Sequence, residues 1–148
     1  VKHRVAFITA AALMLGAGTA CSSGDVYAKR ESGTLPPGAA LFTLDGKDLP
    51  MIRTAQCAPP EEYLTTITTG NDASGATLMV SNNGKLAVEF VRIRNLNGFT
   101  GDYNRGLRGR DATIALTENT YQIAGTAFGY STKSPEPTTQ PFAIKVSC

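Results

Sequence analysis

From Leu41 to Cys148 apolar residues tend to recur at every second position between closely spaced turn signals, and no stretch carries a 3.6-residue period. A period of two marks strands with one buried face, because successive side chains leave opposite faces of a pleated chain. Leu41 to Leu44, Asp45-Gly46 and Met51 to Cys57 read as a hairpin with Asp-Gly as its tight turn. Pro50 makes the second arm start late or lie at an edge. Tyr63, Thr65, Ile67 and Thr69 alternate along a further strand. Ala76 to Ser81 and Lys85 to Arg94 flank the turn signal Asn82-Asn83-Gly84. Within the second of these, Leu86, Val88 and Phe90 share one face, whereas Val91 and Ile93 lie on the other. Either a bulge at Phe90-Val91 or cover on both faces is expected. Ala112, Ile114 and Leu116 alternate before Glu118-Asn119, and Tyr121, Ile123, Gly125 and Ala127 alternate after it. Phe142, Ile144, Val146 and Cys148 form the most regular strand of all. The predicted fold class is all-β: a single β-sandwich-like domain of short antiparallel strands over 41–148.

The front of the chain follows other rules. Lys2, His3 and Arg4 precede an apolar run from Val5 to Ala17, then Gly18-Thr19-Ala20, and Cys21 comes next with Ser22-Ser23-Gly24. A short apolar run with a basic flank is the layout of a cleaved secretory signal rather than a membrane span. Small residues immediately before a cysteine are those of a bacterial lipoprotein precursor. They predict a signal peptide over 1–20 and lipidation of Cys21, with a diacylglyceryl group on sulfur and an acyl chain on the amine. Gly18 stands where such precursors ordinarily carry Leu, Val or Ile, so plain signal-peptidase cleavage, with Cys21 an ordinary thiol, is the alternative. Residues 21–40 are expected to form a lipidated, flexible tether. Ser22-Ser23-Gly24, Lys29-Arg30-Glu31-Ser32-Gly33 and Pro36-Pro37-Gly38 offer no face to bury. Ser22, Ser23, Ser32 and Thr34 are candidate acceptors of O-linked sugar. The expected location is the extracytoplasmic face of the cell membrane, reached through the N-terminal lipid.

Cleavage before Cys21 leaves 128 of the 148 residues, enough for one domain with its own core. It removes Lys2 and Arg4, so the twelve remaining basic residues balance twelve acidic ones. A neutral mature chain has no electrostatic footprint for nucleic acid or for polybasic membrane binding. His3, the one histidine of the chain, leaves with the signal. The mature chain therefore cannot build a Ser-His-Asp triad, a Cys–His pair or a His-ligated zinc site. No Gly-rich phosphate loop, metal-ligand spacing or nucleophile elbow is present, and no cofactor is implied. Glu61-Glu62, Asp45 and Asp48 sit among turn residues, and Asp102 and Asp111 lack the spacing of a calcium loop. No catalytic or metal-ligating residue is assigned.

With Cys21 lipidated, Cys57 and Cys148 remain. Two leftover cysteines in an exported chain are expected to pair; two buried free thiols are the alternative. By its alternation, Cys148 falls on the core face of the last strand.

Binding chemistry concentrates in the expected loop from Gly98 to Arg110. Arg105, Arg108 and Arg110 fall within six residues among glycines, and Arg92 and Arg94 project from one face of the preceding strand. Guanidinium groups suit phosphates and carboxylates, such as those of lipid or glycan head groups. Arg105, Arg108 and Arg110 are thus candidate anion-binding residues. The plainer alternative is a solvated loop whose arginines pair with Asp102 and Asp111. The run Gly125 to Tyr130 either admits a ligand beside its backbone or marks crowded packing within a sheet.

Five pieces run in order from residue 44 to the end: Leu44-Asp45-Gly46-Lys47-Asp48, Cys57, Asn95-Leu96-Asn97-Gly98, Tyr121-Gln122-Ile123-Ala124-Gly125-Thr126-Ala127 and Phe142-Ala143-Ile144-Lys145-Val146-Ser147-Cys148. Together they resemble the mycobacterial nineteen-kilodalton lipoprotein antigen family, that of LpqH and LppE. The resemblance implies a lipid-anchored envelope protein exposed to the host and recognised through its acyl chains by Toll-like receptor 2, with a tether open to mannosylation. It implies no settled biochemical activity. The expected function is a surface antigen and host-interaction module without catalytic activity. The alternative is a carrier or binding protein for a lipid or glycolipid, and an enzyme built on arginines and carboxylates is the third class. A cavity of ligand size favours the carrier.

Overall fold

The computed structural model describes residues 33–148. The expected signal peptide, Cys21, Ser22, Ser23 and Ser32 lie outside them. Among the described residues there are ten strands and no helix. They are β1 (Ala40–Leu44), β2 (Lys47–Asp48), β3 (Gln56–Cys57), β4 (Leu64–Gly70), β5 (Gly75–Asn83), β6 (Lys85–Leu96), β7 (Phe99–Asn104), β8 (Thr113–Thr117), β9 (Thr120–Ser131) and β10 (Ser134–Ser147). Every pairing is antiparallel. The spatial order is β2-β1-β10-β9-β7-β6-β5-β4-β3, with β8 also beside β9. The all-β expectation holds.

This single sheet curls until its ends meet. Counted along the sheet, β10 and β3 are six strand spacings apart, which is about 29 Å if the sheet were flat. Yet the Cα atoms of Cys57 in β3 and Cys148 just after β10 are 5.7 Å apart and joined by a disulfide. Ala55 N–H donates to the Gly38 carbonyl at 3.0 Å, and Ile52 bridges Ala40 of β1. The segment before β3 thus closes onto the β1 side. Inside the curl, alternate residues of seven strands meet in one core that includes Phe42, Leu44, Ile67, Leu78, Val91, Ile93, Phe99, Ile123 and Ile144. Tyr103 packs edge-to-face on Phe142, with ring centres 6.2 Å apart.

The phase change in β6 is a bulge. Met79 pairs with Phe90 and the next residue, Val80, pairs with Val88, which leaves Glu89 as the extra residue. The insertion lets Val88 and Val91, three apart, both face the core. The Asp45-Gly46 turn also forms, with φ of 49° and 74°, the double left-handed conformation that suits a two-residue hairpin.

Four expectations need correction. The second arm of the first hairpin is only Lys47–Asp48, because Pro50 lacks an N–H and ends the pairing. Met51 to Ala55 contributes the lone bridge at Ile52, and Gln56–Cys57 pairs with β4 instead. The tether expected through residue 40 ends earlier in the described chain. Leu35 N–H donates to Thr120 Oγ1 at 3.0 Å, Gly38 N–H to the Ser147 carbonyl at 3.0 Å, and Ala39 and Ala40 are buried. Third, Cys148 is exposed and lies beyond the strand. Val146 and Ser147 are both buried, so the alternation breaks just before it, and Cys148 N–H donates to the Asn119 carbonyl at 3.0 Å. Fourth, the first half of the expected 98–110 loop is strand β7, paired on one side with β6 and on the other with β9.

One strand was not visible in the pattern. Ser134 to Pro141 carries three prolines yet forms the first half of β10. Only β9 pairs with this half, since β1 pairs from Phe142 onward. Proline is tolerated where the missing N–H faces no partner strand.

Candidate functional site

The site begins with an interruption in pairing. On one edge β9 is covered throughout by β10. On the other, β8 covers Thr120 to Ala124 and β7 covers Phe128 to Ser131. Gly125, Thr126 and Ala127 are left between them without a strand partner on that side. The chain from Arg105 to Ala112 leaves β7, crosses this gap and enters β8.

Local hydrogen bonds hold the crossing. Leu107 N–H donates to the Asn104 carbonyl at 3.2 Å, Gly106 N–H to Asp111 Oδ1 at 2.9 Å, and Ala112 N–H to the Tyr103 hydroxyl at 2.9 Å. Gly106 and Gly109 take φ of 69° and 64°, the left-handed region in which glycine carries no Cβ penalty. Under this loop lies a groove of about 440 Å³, with Tyr103, Ala127 and Phe128 as apolar lining and Asn104, Thr126 and Thr139 as polar lining. Leu107, Arg108 and Arg110 line it from the loop side.

The three candidate anion-binding arginines have different surroundings. Arg105 Nη1 lies 2.9 Å from Glu89 Oε1, and its Nε lies 3.9 Å from Asp111 Oδ2. Glu89 is the bulge residue, and it also accepts from the Ser81 hydroxyl. Arg108 lies over the Phe128 ring, its Cζ 4.1 Å from the ring centre. Arg110 makes no ion pair among the described residues and lines the groove beside it. Of the expected pairings with Asp102 and Asp111, only the longer Arg105–Asp111 contact belongs to the loop.

Asp102 belongs to another arginine. Arg92 meets it through two parallel hydrogen bonds of 2.9 Å from Nε and Nη2. The hydrogen bond to Asp102, and then its negative charge, raise the Arg92 guanidinium above its ordinary pKa. Arg92 also lies 5.2 Å from the centre of the Phe90 ring. Arg94 donates to Thr77 Oγ1 at 2.8 Å. Both strand arginines are thus committed within the sheet, Arg92 to Asp102, which lines the groove, and Arg94 to Thr77.

The glycine run of β9 serves packing and the groove together. Gly129 faces Gly101 of β7, and a Cβ on Gly129 would overlap the Thr100 carbonyl oxygen and the Gly101 Cα. Between the packed glycines, Thr126, Ala127 and Phe128 line the groove. Tyr103, Leu107 and Thr139 carry no sequence signal for this role. Only the sheet order brings β7, β9 and β10 side by side and sets the three residues around one space.

Fold and groove define the class: a disulfide-closed, all-β domain with an amphipathic groove under an arginine-bearing loop. The chain belongs to the Mycobacterium 19 kDa lipoprotein antigen family, whose model matches residues 33–148. It is 35% identical over 150 residues to a protein of Mycobacterium avium subsp. hominissuis described as a lipoprotein, across 100% of this chain and 97% of that one. It is 30% identical over 134 residues to the lipoprotein LppE of Mycobacterium tuberculosis, across 90% of this chain and 89% of LppE. With lipoprotein LpqH of Mycobacterium avium it shares 31% over 106 residues, 71% of this chain and 65% of LpqH. The family expected from the ordered motifs is therefore the right one, and its members are lipoproteins of the mycobacterial envelope.

Proposed function

We propose that the protein is a lipid-anchored envelope protein on the extracytoplasmic face of the cell membrane, and that its β domain is a non-catalytic interaction module exposed to the host. The placement of the domain's two ends carries this reading. The described chain enters at one end, where Leu35 binds Thr120 beside the β8–β9 turn and the disulfide cysteine Cys148. Three turns gather at the opposite end: Ser74 Oγ donates to the Asn95 carbonyl at 2.9 Å, and Thr132 N–H to the Gly98 carbonyl at 2.9 Å. The twelve residues of β9 run from one end to the other, a rise of about 40 Å. A domain anchored through Cys21 would hold those three turns away from the bilayer and toward any external partner. The acidic groups nearest the groove support a binding role rather than acid–base work, since Asp102, Glu89 and Asp111 each face an arginine.

The anchor is tested on protein extracted from its own membrane. Mass spectrometry of the N-terminal peptide is expected to find Cys21 acylated, and Cys21→Ser is expected to move the protein from the detergent phase to the aqueous phase. The same substitution should abolish signalling in cells reporting on Toll-like receptor 2, because the acyl chains are the part proposed to engage it. An unmodified Cys21 in a water-soluble mature protein overturns the anchor. One observation favours the carrier as a second reading: the groove under Arg108 is of ligand size.

A further inference from the structure

We propose that the groove between β7, β9 and the 105–112 crossing binds a phosphate ester carried on a hydroxylated body, the chemistry of a glycerophosphate or sugar-phosphate head group. The proposal rests on the reading of the β domain as a non-catalytic binding module and names what its groove takes.

Charge is the first argument. The acids near the groove are already engaged: Asp102 by Arg92, and Glu89 and Asp111 by Arg105. Arg108 and Arg110 line the groove with no ion pair to any described residue. Two positive charges therefore face a space whose one lining carboxylate is neutralised from outside. An anion entering there meets complementary charge without displacing an internal partner.

Pre-organisation is the second. Arg108 lies over Phe128 at 4.1 Å. A cation held on a ring face keeps its in-plane N–H groups available, and those are the groups that grip two oxygens of a phosphate at once. The stack also restricts a long side chain before binding, which lowers the entropy cost of using it.

Size and lining decide the rest of the ligand. A groove of about 440 Å³ exceeds the needs of a bare anion and lies within the range of small-molecule sites, roughly 300–1,000 Å³. Asn104, Thr126 and Thr139 supply hydrogen-bonding side chains for hydroxyl groups. Leu107, 68% exposed at the lip, adds an apolar contact just outside the charged part. Such a lining fits a polar ester that continues into a less polar portion. Two sources share this chemistry, a soluble phosphate ester and the head group of a membrane lipid.

The test uses the mature chain, residues 21–148, carrying Cys21→Ser, so that neither an acyl chain nor the apolar signal contributes to binding. It is titrated calorimetrically with sn-glycerol 3-phosphate and floated with vesicles of phosphatidylglycerol or of phosphatidylcholine. Saturable binding of the soluble ester is expected, at least about tenfold weaker in the R108A/R110A double variant, since two charge-assisted contacts are lost. Arg53→Ala, which removes an exposed arginine elsewhere, should leave binding unchanged. Phe128→Leu, which takes away the stacking ring, should weaken it with the melting temperature retained. Flotation with phosphatidylglycerol alone, lost in the double variant, assigns the site to a membrane head group. Binding of the soluble ester without flotation assigns it to a free phosphate ester. Failure of both probes overturns the proposal, as does an equal loss in Arg53→Ala, which would mean diffuse charge and no site. Acylation of Cys21 is read separately on the native protein. A failed titration beside an acylated Cys21 thus removes the groove assignment and leaves the anchored module standing.

Discussion

Three arginines within six residues show how little a residue's identity says about its use. Arg105 ties the bulge at Glu89 to Asp111, while Arg108 and Arg110 turn into the groove. The Arg105 side chain is 47% exposed and Glu89 32%, so solvent screens the pair and its worth is about 0–1 kcal/mol. Arg105→Ala is expected to lower the melting temperature by at most about 4 °C, and the difference should shrink in 1 M salt. Arg108→Ala and Arg110→Ala should each leave it within about 1 °C. Thermal unfolding of the three single variants checks the ranking. A larger loss from Arg108 than from Arg105 would show that the ring stack, and not the ion pair, holds the loop.

Among the elements, β7 and β9 depend most on a small detail. They approach through Gly101 and Gly129, which sit opposite each other. A Cβ on Gly101 would stand 2.6 Å from both the Phe128 carbonyl oxygen and the Phe99 ring. The obstacle at Gly129 is backbone, which cannot swing aside as a flexible side chain does. Gly129→Ala is therefore expected to destabilise by about 1–3 kcal/mol, the usual cost of overpacking, and to loosen the groove wall formed by Phe128. A lower denaturant midpoint with an unchanged slope would confirm a pure stability loss. An unchanged midpoint would mean that the strands part without cost. The bulge at Glu89 works in the other direction: one extra residue keeps Val88 and Val91 both inside and delivers a carboxylate to Arg105.

For the whole molecule, closure of the curled sheet is the controlling event. The disulfide joins residues 91 apart in sequence and ties β3 to the end of β10, where few backbone bonds connect the sheet's two ends. On the chain-entropy account a loop of this length is worth about 4–5 kcal/mol, less any native strain. The C57S/C148S double variant is expected to lose a large share of that in urea unfolding, and reductant should do the same to the native protein. A loss below about 1 kcal/mol would show that the core and the Ala40–Ile52 bridge close the sheet unaided. Core variants such as Ile93→Ala act on the same cooperative unit, because one cluster spans seven strands.

The sequence alone determined the all-β class, most strand positions, the Asp45-Gly46 and Asn82-Asn83-Gly84 turns, the phase change at Phe90-Val91, the cysteine pair and the family. That the phase change is a bulge at Glu89 came from the strand pairing. Alternation and turn chemistry are local, so a single chain displays them. It also singled out Arg105, Arg108 and Arg110, because charge density needs no geometry to be seen. Tertiary structure decided what local rules cannot reach. Ser134 to Pro141 becomes a strand only because one of its edges has no partner. Gly33 to Ala40 join the domain through bonds to Thr120 and Ser147, far along the chain. Cys148 lies past the end of β10, exposed, where it pairs with the half-buried Cys57. The groove exists because β8 and β7 share one edge of β9 and leave a gap between them. That gap depends on pairing between distant segments, and pairing partners are chosen by the packing of the whole core rather than by any one segment's pattern.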